Sequence, residues 1–228
     1  MAAATSLRLL LREMTPADIP GVRRIEVAAY EDAWPQTTFE EELRNSFATY
    51  LVAVDIDRTA TATPKVEATP PEAHPRLDFP GRAWWSRLRA RAASEPRAAE
   101  TGDVFAGYCG AWFHVDQLHV VTVAVDPARQ GHGIAQRLLL ECFDRAIEAE
   151  LRNVTLEVRT SNVRAQEIYR RFGFQQVGIH RAYYANNRED AIVMLTPDLD
   201  APEQRARLEA VRADVAARFP EVEWTRSE

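Results

Sequence analysis

Three features of this chain pair residue types with a spacing that suits chemistry. The first is the stretch VTLEVRTSN at 154–162. Val154, Leu156 and Val158 alternate there with Thr155, Glu157 and Arg159, the period-two pattern of a strand. A carboxylate in a central strand is costly unless paired or neutral, so Glu157 needs a reason to be there. An ion pair with Arg159 or Arg181 is one reason, and chemistry is the other. The second feature is Asn162 with Tyr169 on the helix pattern that follows. Asn162 suits an N-cap, and Tyr169 shares its helix side with Ala165, Ile168 and Phe172, as a core aromatic would. The third is RQGHGIA, with Gly131 and Gly133 between a strand and a helix start. Unpaired N–H groups and a partial positive charge at a helix N-terminus suit a phosphate or pyrophosphate, and glycines allow close backbone approach. An ordinary strand-to-helix turn would use the same glycines. Neither the dinucleotide fingerprint nor a P-loop is met, because the third glycine and the Gly-Lys-Ser/Thr run are missing.

The elements that must hold these residues follow from periodicity. Leu7 to Arg12 reads as a first strand, and Thr15-Pro16 opens a helix whose apolar side is Ile19, Val22 and Ile25. A short helix over 38–45 and a strand over 49–55 come next. Residues 104–115 and 118–126 read as strands joined near Asp116 and Gln117. A helix from Ile134 carries Leu138, Cys142, Phe143 and Ala146 on one side. The 154–158 strand, a helix over 162–172 stopped by Gly173, and strands at 174–179 and 191–195 complete the set. PEQRARLEAVRADVAARF then forms an amphipathic helix with Leu208, Val211, Val215 and Phe219 on one side. A mixed α/β sheet in one domain is expected. Residues 56–103 break the pattern, being rich in Pro, Ala and Arg with Trp84 and Trp85 inside, and they read as an insertion.

Composition narrows the function classes. A net charge of −6 provides no electrostatic grip for nucleic acid, and direct nucleic-acid binding is not expected. The leading LRLLLREM is too short and too broken by arginine for a signal-peptide core, and no apolar run is long enough for a membrane span. Two cysteines, Cys109 and Cys142, make neither a disulfide framework nor a four-ligand metal site, and no histidine pair has zinc-hydrolase spacing. A cytoplasmic protein without a metal is the expectation.

Motif and element order together carry more than any single residue. Gln130-Gly131-His132-Gly133-Ile134-Ala135 fits Q/R-x-x-G-x-G/A after the fourth strand and at the start of the third helix. In that place it resembles the acetyl-coenzyme A motif of the GCN5-related N-acetyltransferases (GNAT). From about Leu118 to Pro197 the chain is similar to the bacterial ribosomal-protein alanine N-acetyltransferase branch (RimI). The pattern L-E-V-R-x-S-N-x-x-A-x-x-x-Y, then G-F, R-x-Y-Y and E-D-A, is present throughout.

The resemblance implies a GNAT fold: a mixed, mostly antiparallel central sheet of about seven strands flanked by helices, with the insertion between strands two and three. It implies a domain over 1–197 and a helical extension over 198–228. Acetyl-CoA would be the co-substrate. The backbone of Val123, Ala124 and Val125 would hold the pantetheine arm and polarise the thioester carbonyl. Gln130, Gly131, His132, Gly133, Ile134, Ala135 and Gln136 would wrap the pyrophosphate, and Asn162 would contact the same molecule. Glu157 would be the general base and Tyr169 the general acid. Tyr183, Tyr184 and Trp34 would line the acceptor site, although Trp34-Pro35 stands where relatives read Pro-Trp. The implied acceptor is a protein N-terminus, the alanine of small-subunit ribosomal protein eighteen. A small-molecule amine, a lysine side chain, or a CoA-binding interaction role are the alternatives.

Overall fold

A computed structural model describes residues 7–31, 33, 36–59 and 103–227 of the chain. Its frame is one sheet. The strands are β1 (Leu7–Glu13), β2 (Ala48–Thr59), β3 (Asp103–Phe113), β4 (Gln117–Val125), β5 (Asn153–Arg159), β6 (Gln175–His180), β7 (Ala191–Leu195) and β8 (Val222–Arg226). The helices are α1 (Ile19–Ala29), α2 (Gln36–Glu42), α3 (Ile134–Glu148), α4 (Val163–Arg171) and α5 (Pro202–Arg218). Strand order across the sheet is β6-β7-β5-β4-β3-β2-β1-β8. Among the described residues only β4–β5 and β1–β8 run parallel. The mixed, mostly antiparallel sheet is as expected, with an eighth strand at its edge. Leu9 of β1 lies opposite Trp224 of β8. The segment after Pro197 is thus a helix followed by a strand. Of the stretch expected as an insertion over 56–103, residues 56–59 instead extend β2 and Asp103 opens β3; the rest, Trp84 and Trp85 included, lies outside the described residues.

The sheet's two faces are packed differently. Leu9, Leu51, Cys109, Leu118, Val154, Leu156 and Val158 form one continuous core with Leu138, Leu139 and Phe143 of α3. Leu208, Val211 and Val215 of α5 join it. Burying those three side chains stabilises the docked α5 by about 1.5–3 kcal/mol each. Gln204 Nε2 donates to the Phe172 carbonyl at 2.9 Å, and Arg212 and Arg226 both reach Asp144. On the other face, Ile19, Val22 and Ile25 of α1 and Phe39 of α2 cover Tyr50, Val52, Val54 and Tyr108. Among the described residues α1 packs on β3 and β4.

A β-bulge in β4 links the two faces. Gly110 pairs with Thr122 but Ala111 with Val120, so Val121 is the extra residue. A bulge exchanges the sides to which alternate residues point. Before it, Leu118 and Val120 face the α3 core; after it, Ala124 belongs to the α1 side, while Val123 and Val125 pack toward α3.

Candidate active site

The bulge sits where β4 and β5 part. Their parallel ladder runs from Gln117–Asn153 to Val120–Leu156 and stops. Beyond it, β5 continues along β7 alone and β4 along β3 alone, so a gap opens between them. The Val123 carbonyl accepts the Tyr30 hydroxyl at 2.7 Å, which shows that it points away from β3. Asp126 N–H donates back to Ala106 of β3 at 2.9 Å. In an antiparallel ladder a residue's N–H and C=O share a side, so the amides of Val123 and Val125 face the gap. By the same alternation Ala124 has its backbone committed to β3. Of the three strand residues singled out by sequence, two therefore turn an amide N–H to the gap.

At the end of β4 the chain enters a short 3-10 turn, Pro127–Arg129, held by Ala128 N–H on Asp126 Oδ1 at 2.8 Å. Gly131 has φ +87° and Gly133 φ +70°, both in the left-handed region. A Cβ on Gly131 would meet nothing within 4 Å. That side of the loop is open, as a backbone cradle for an anion requires. A Cβ on Gly133 would lie 2.4 Å from the Phe219 ring. The second glycine thus answers to the C-terminal segment as well as to its own conformation. Ile134 and Gln136 turn their side chains inward, leaving the first-turn amides of α3 as their contribution to the loop. His132 Nδ1 stands 3.6 Å from Glu221 Oε1, and the Arg137 guanidinium lies over the Trp224 ring. Burial lowers the pKa of Arg137, partly offset by Glu221. These contacts with the C-terminal segment are not visible in the motif itself.

Glu157 follows the last β4–β5 pair, on the face that α1 leaves uncovered. His119 Nε2 is 2.5 Å from its Oε2, and His180 Nε2 is 4.0 Å from its Oε1. Neither arginine pairing is found. Arg159 is held by Glu189, Asn186 and Asn187 and lies 3.6 Å from the centre of the Tyr184 ring. Arg181 pairs with Asp190. His119 faces Glu157 because it stands opposite Thr155 in the parallel ladder, one residue pair before it on the same side. The Trp112 and His114 rings border His119, each 5.8 Å away. Burial, then the neighbouring His119, lowers the pKa of His114. Trp112 Nε1 in turn donates to Glu42 at 2.5 Å.

Tyr183 and Tyr184 close the same face. Tyr183 stacks on His180 at 5.6 Å and meets Tyr184 edge-on at 5.2 Å. Partial burial and the Glu157 carboxylate push the Tyr183 phenol up to about 12. Asn186 Nδ2 reaches Glu31 Oε2 at 3.2 Å, so the loop before β7 touches the segment after α1 across the opening. Trp34, in that segment, lies outside the described residues.

Tyr169 is partly buried against Phe174 and the α3 core, as its helix side predicts. Burial, with a smaller effect of Cys142, pushes its phenol up to about 12. Its phenol interacts electrostatically with those of Tyr30 and Tyr184. Asn162 is an N-cap, its Oδ1 accepting from Ala165 N–H at 3.1 Å. Cys109 and Cys142 are buried in the α3 core, their sulfurs 3.7 Å apart. Sequence reading missed Tyr30. Its hydroxyl ends a buried chain in which Tyr108 donates to Glu26 and neighbours Thr122, and Thr122 in turn neighbours Tyr30. A helix-end tyrosine carries no local signal of that reach.

A split parallel pair, outward strand amides and an open glycine loop at a helix start follow one another from β4 into α3. Residues 59–174 match the model of the acetyltransferase (GNAT) family. The chain belongs to that family. GNAT enzymes are acetyltransferases that use acetyl-CoA, and the gap and loop described here fit such a ligand. A putative ribosomal protein bS18-alanine N-acetyltransferase of Bacillus subtilis is 28% identical over 81% of this chain and 92% of its own length. The N-alpha-acetyltransferase RimI of Mycobacterium tuberculosis is 41% identical over 42% of this chain, and the match spans 61% of that relative. The crystal structure of the Escherichia coli ribosomal-protein-S18-alanine N-acetyltransferase superposes with a TM-score of 0.57 over 83% of this chain, at 21% identity. That likeness concerns the GNAT fold.

Proposed function

We propose that this GNAT enzyme moves acetyl from acetyl-CoA to the α-amine of a protein N-terminus, the acceptor being the alanine of small-subunit ribosomal protein eighteen. The observation that carries the reading is the meeting of Glu157, Tyr183 and Tyr184 on one open face, beside the gap where the Val123 and Val125 amides point. Support from relatives is consistent with it, since two are named for acetylating ribosomal protein bS18 or an α-amine. Val123 and Val125 N–H groups receive the thioester end, and the amides of 130–136 wrap the pyrophosphate. Asn162, already capping α4, borders the same track.

An α-amine with pKa near 8 is about one-tenth neutral at pH 7, so the base has a modest task. Glu157 takes the amine proton while nitrogen attacks the thioester carbon, and a gap-facing N–H stabilises the developing oxyanion. As the C–S bond breaks, Tyr169 supplies a proton to the thiolate. Its phenol at about 12 stays protonated until that moment. The thiolate leaves beside this buried hydroxyl, where desolvation raises its basicity in the same direction. Attack is direct, because both thiols lie in the α3 core.

The test is an acetyl-transfer assay on a panel of N-terminal peptides, with mass spectrometry of the labelled site. Acetyl on the α-amine of an alanine peptide is the expected result. Acetyl on a lysine ε-amine or on small amines alone would favour the other acceptors.

A further inference from the structure

We infer that His119 is a positioning residue for Glu157, an inference that rests on Glu157 acting as the base. The contact is 2.5 Å from Nε2 to Oε2, with both side chains largely shielded from solvent, at 17% and 15% exposure. Two lone pairs cannot face each other at that distance, so a neutral His119 carries its proton on Nε2 and donates it to the carboxylate. This bond holds Oε2 and leaves Oε1 as the oxygen that meets the acceptor amine. The ring is itself fixed from two sides by Trp112 and His114. Trp112 is anchored through its indole N–H to Glu42 on α2. A glutamate on a strand has three side-chain torsions to lose, and an ordered partner removes that freedom before substrate arrives.

The experiment compares kcat and KM for the unsubstituted enzyme, His119→Gln and His119→Ala on whichever amine the unsubstituted enzyme acetylates. The ratio between enzymes, not the acceptor's identity, carries the result. His119→Ala should lower kcat about 10²-fold with the KM for acetyl-CoA unchanged. His119→Gln keeps a neutral donor and should recover most of that loss. An unchanged kcat in His119→Ala, or a His119→Gln enzyme as slow as His119→Ala, would each overturn the inference. Acetylation of free amines by the unsubstituted enzyme, with the His119 effects intact, would sink the N-terminal acceptor reading alone.

Discussion

Strand β5 has two sides that obey opposite rules. Val154, Leu156 and Val158 are at most 4% exposed and sit in the core beneath α3. Thr155, Glu157 and Arg159, interleaved with them, stand on the face that α1 leaves open. There every group finds a polar or aromatic neighbour: His119 for Glu157, and Glu189 with Tyr184 for Arg159. Seven residues thus supply both a wall of the core and part of the face where the reaction is proposed. The core side holds the strand rigid, and rigidity is what lets a carboxylate on the far side be aimed. Stability and chemistry should separate cleanly between the two sides.

The largest expected effect lies on the polar side. Glu157→Gln should lower turnover by about 10²- to 10⁴-fold, with acetyl-CoA affinity and thermal midpoint nearly unchanged. Steady-state kinetics and calorimetry on one preparation check this, and unchanged turnover would remove Glu157 as base. The matching change on the apolar side, Leu156→Ala, should cost about 2–5 kcal/mol of stability with kcat retained below the melting range. Urea unfolding measures it. A kinetic effect of Leu156→Ala as large as that of Glu157→Gln would break the separation.

Tyr169 straddles the two regions and sharpens the comparison. Tyr169→Phe should lower kcat by about 10²-fold and leave peptide KM and stability nearly intact. A fall in stability without the kinetic loss would assign Tyr169 to packing alone. Gly133 tests the link to the C-terminal segment. At φ +70° with Phe219 against it, Gly133→Ala should cost about 1–2 kcal/mol and raise the KM for acetyl-CoA. Gly131→Ala, strained but open, should disturb Phe219 less, as near-ultraviolet dichroism of the aromatics would report.

The smallest effect concerns pH and the loop before β7. Hydrogen bonds from the Ser161 side chain and backbone, with Arg159 and Thr160 adding, hold the Glu189 carboxylate down at about 2. A depressed carboxylate contributes above its unfolded value and loses that contribution as pH falls through the folded one. The Arg159–Glu189 clamp should therefore persist from neutral pH through 4.5 and release only as pH approaches about 2. Tyr184 ring shifts followed by NMR would show it, with Glu189→Gln shifting already at neutral pH.

Much of this was legible in the residues. Alternation placed Glu157 in a strand, the helix spacing placed Tyr169 on a packed side, and capping chemistry placed Asn162 where it is found. RQGHGIA after a strand marked the loop and the helix start. The partners of Glu157 were not legible, because Arg159 and Arg181 are close in sequence while His119 is close only through the β4–β5 register. The bulge at Val121 was equally hidden, since one extra residue in a run of valines changes no periodicity strongly enough to be seen. VEWTR at the end of the chain is too short and too charged to announce a strand; β1 makes it one by lending its edge.

The sequence by itself determined the local choices: which residues sit in strands and helices, where helices begin and stop, and which side of each is apolar. Those follow from propensity, capping and periodicity, which act over a few residues. Only the tertiary structure decided which strands part, which amides are left over, that Phe219 presses on the glycine loop, and that an imidazole from β4 meets Glu157. Such contacts depend on register and layer packing between segments far apart in the chain. No local pattern encodes them, because their free energy exists only once the sheet has formed.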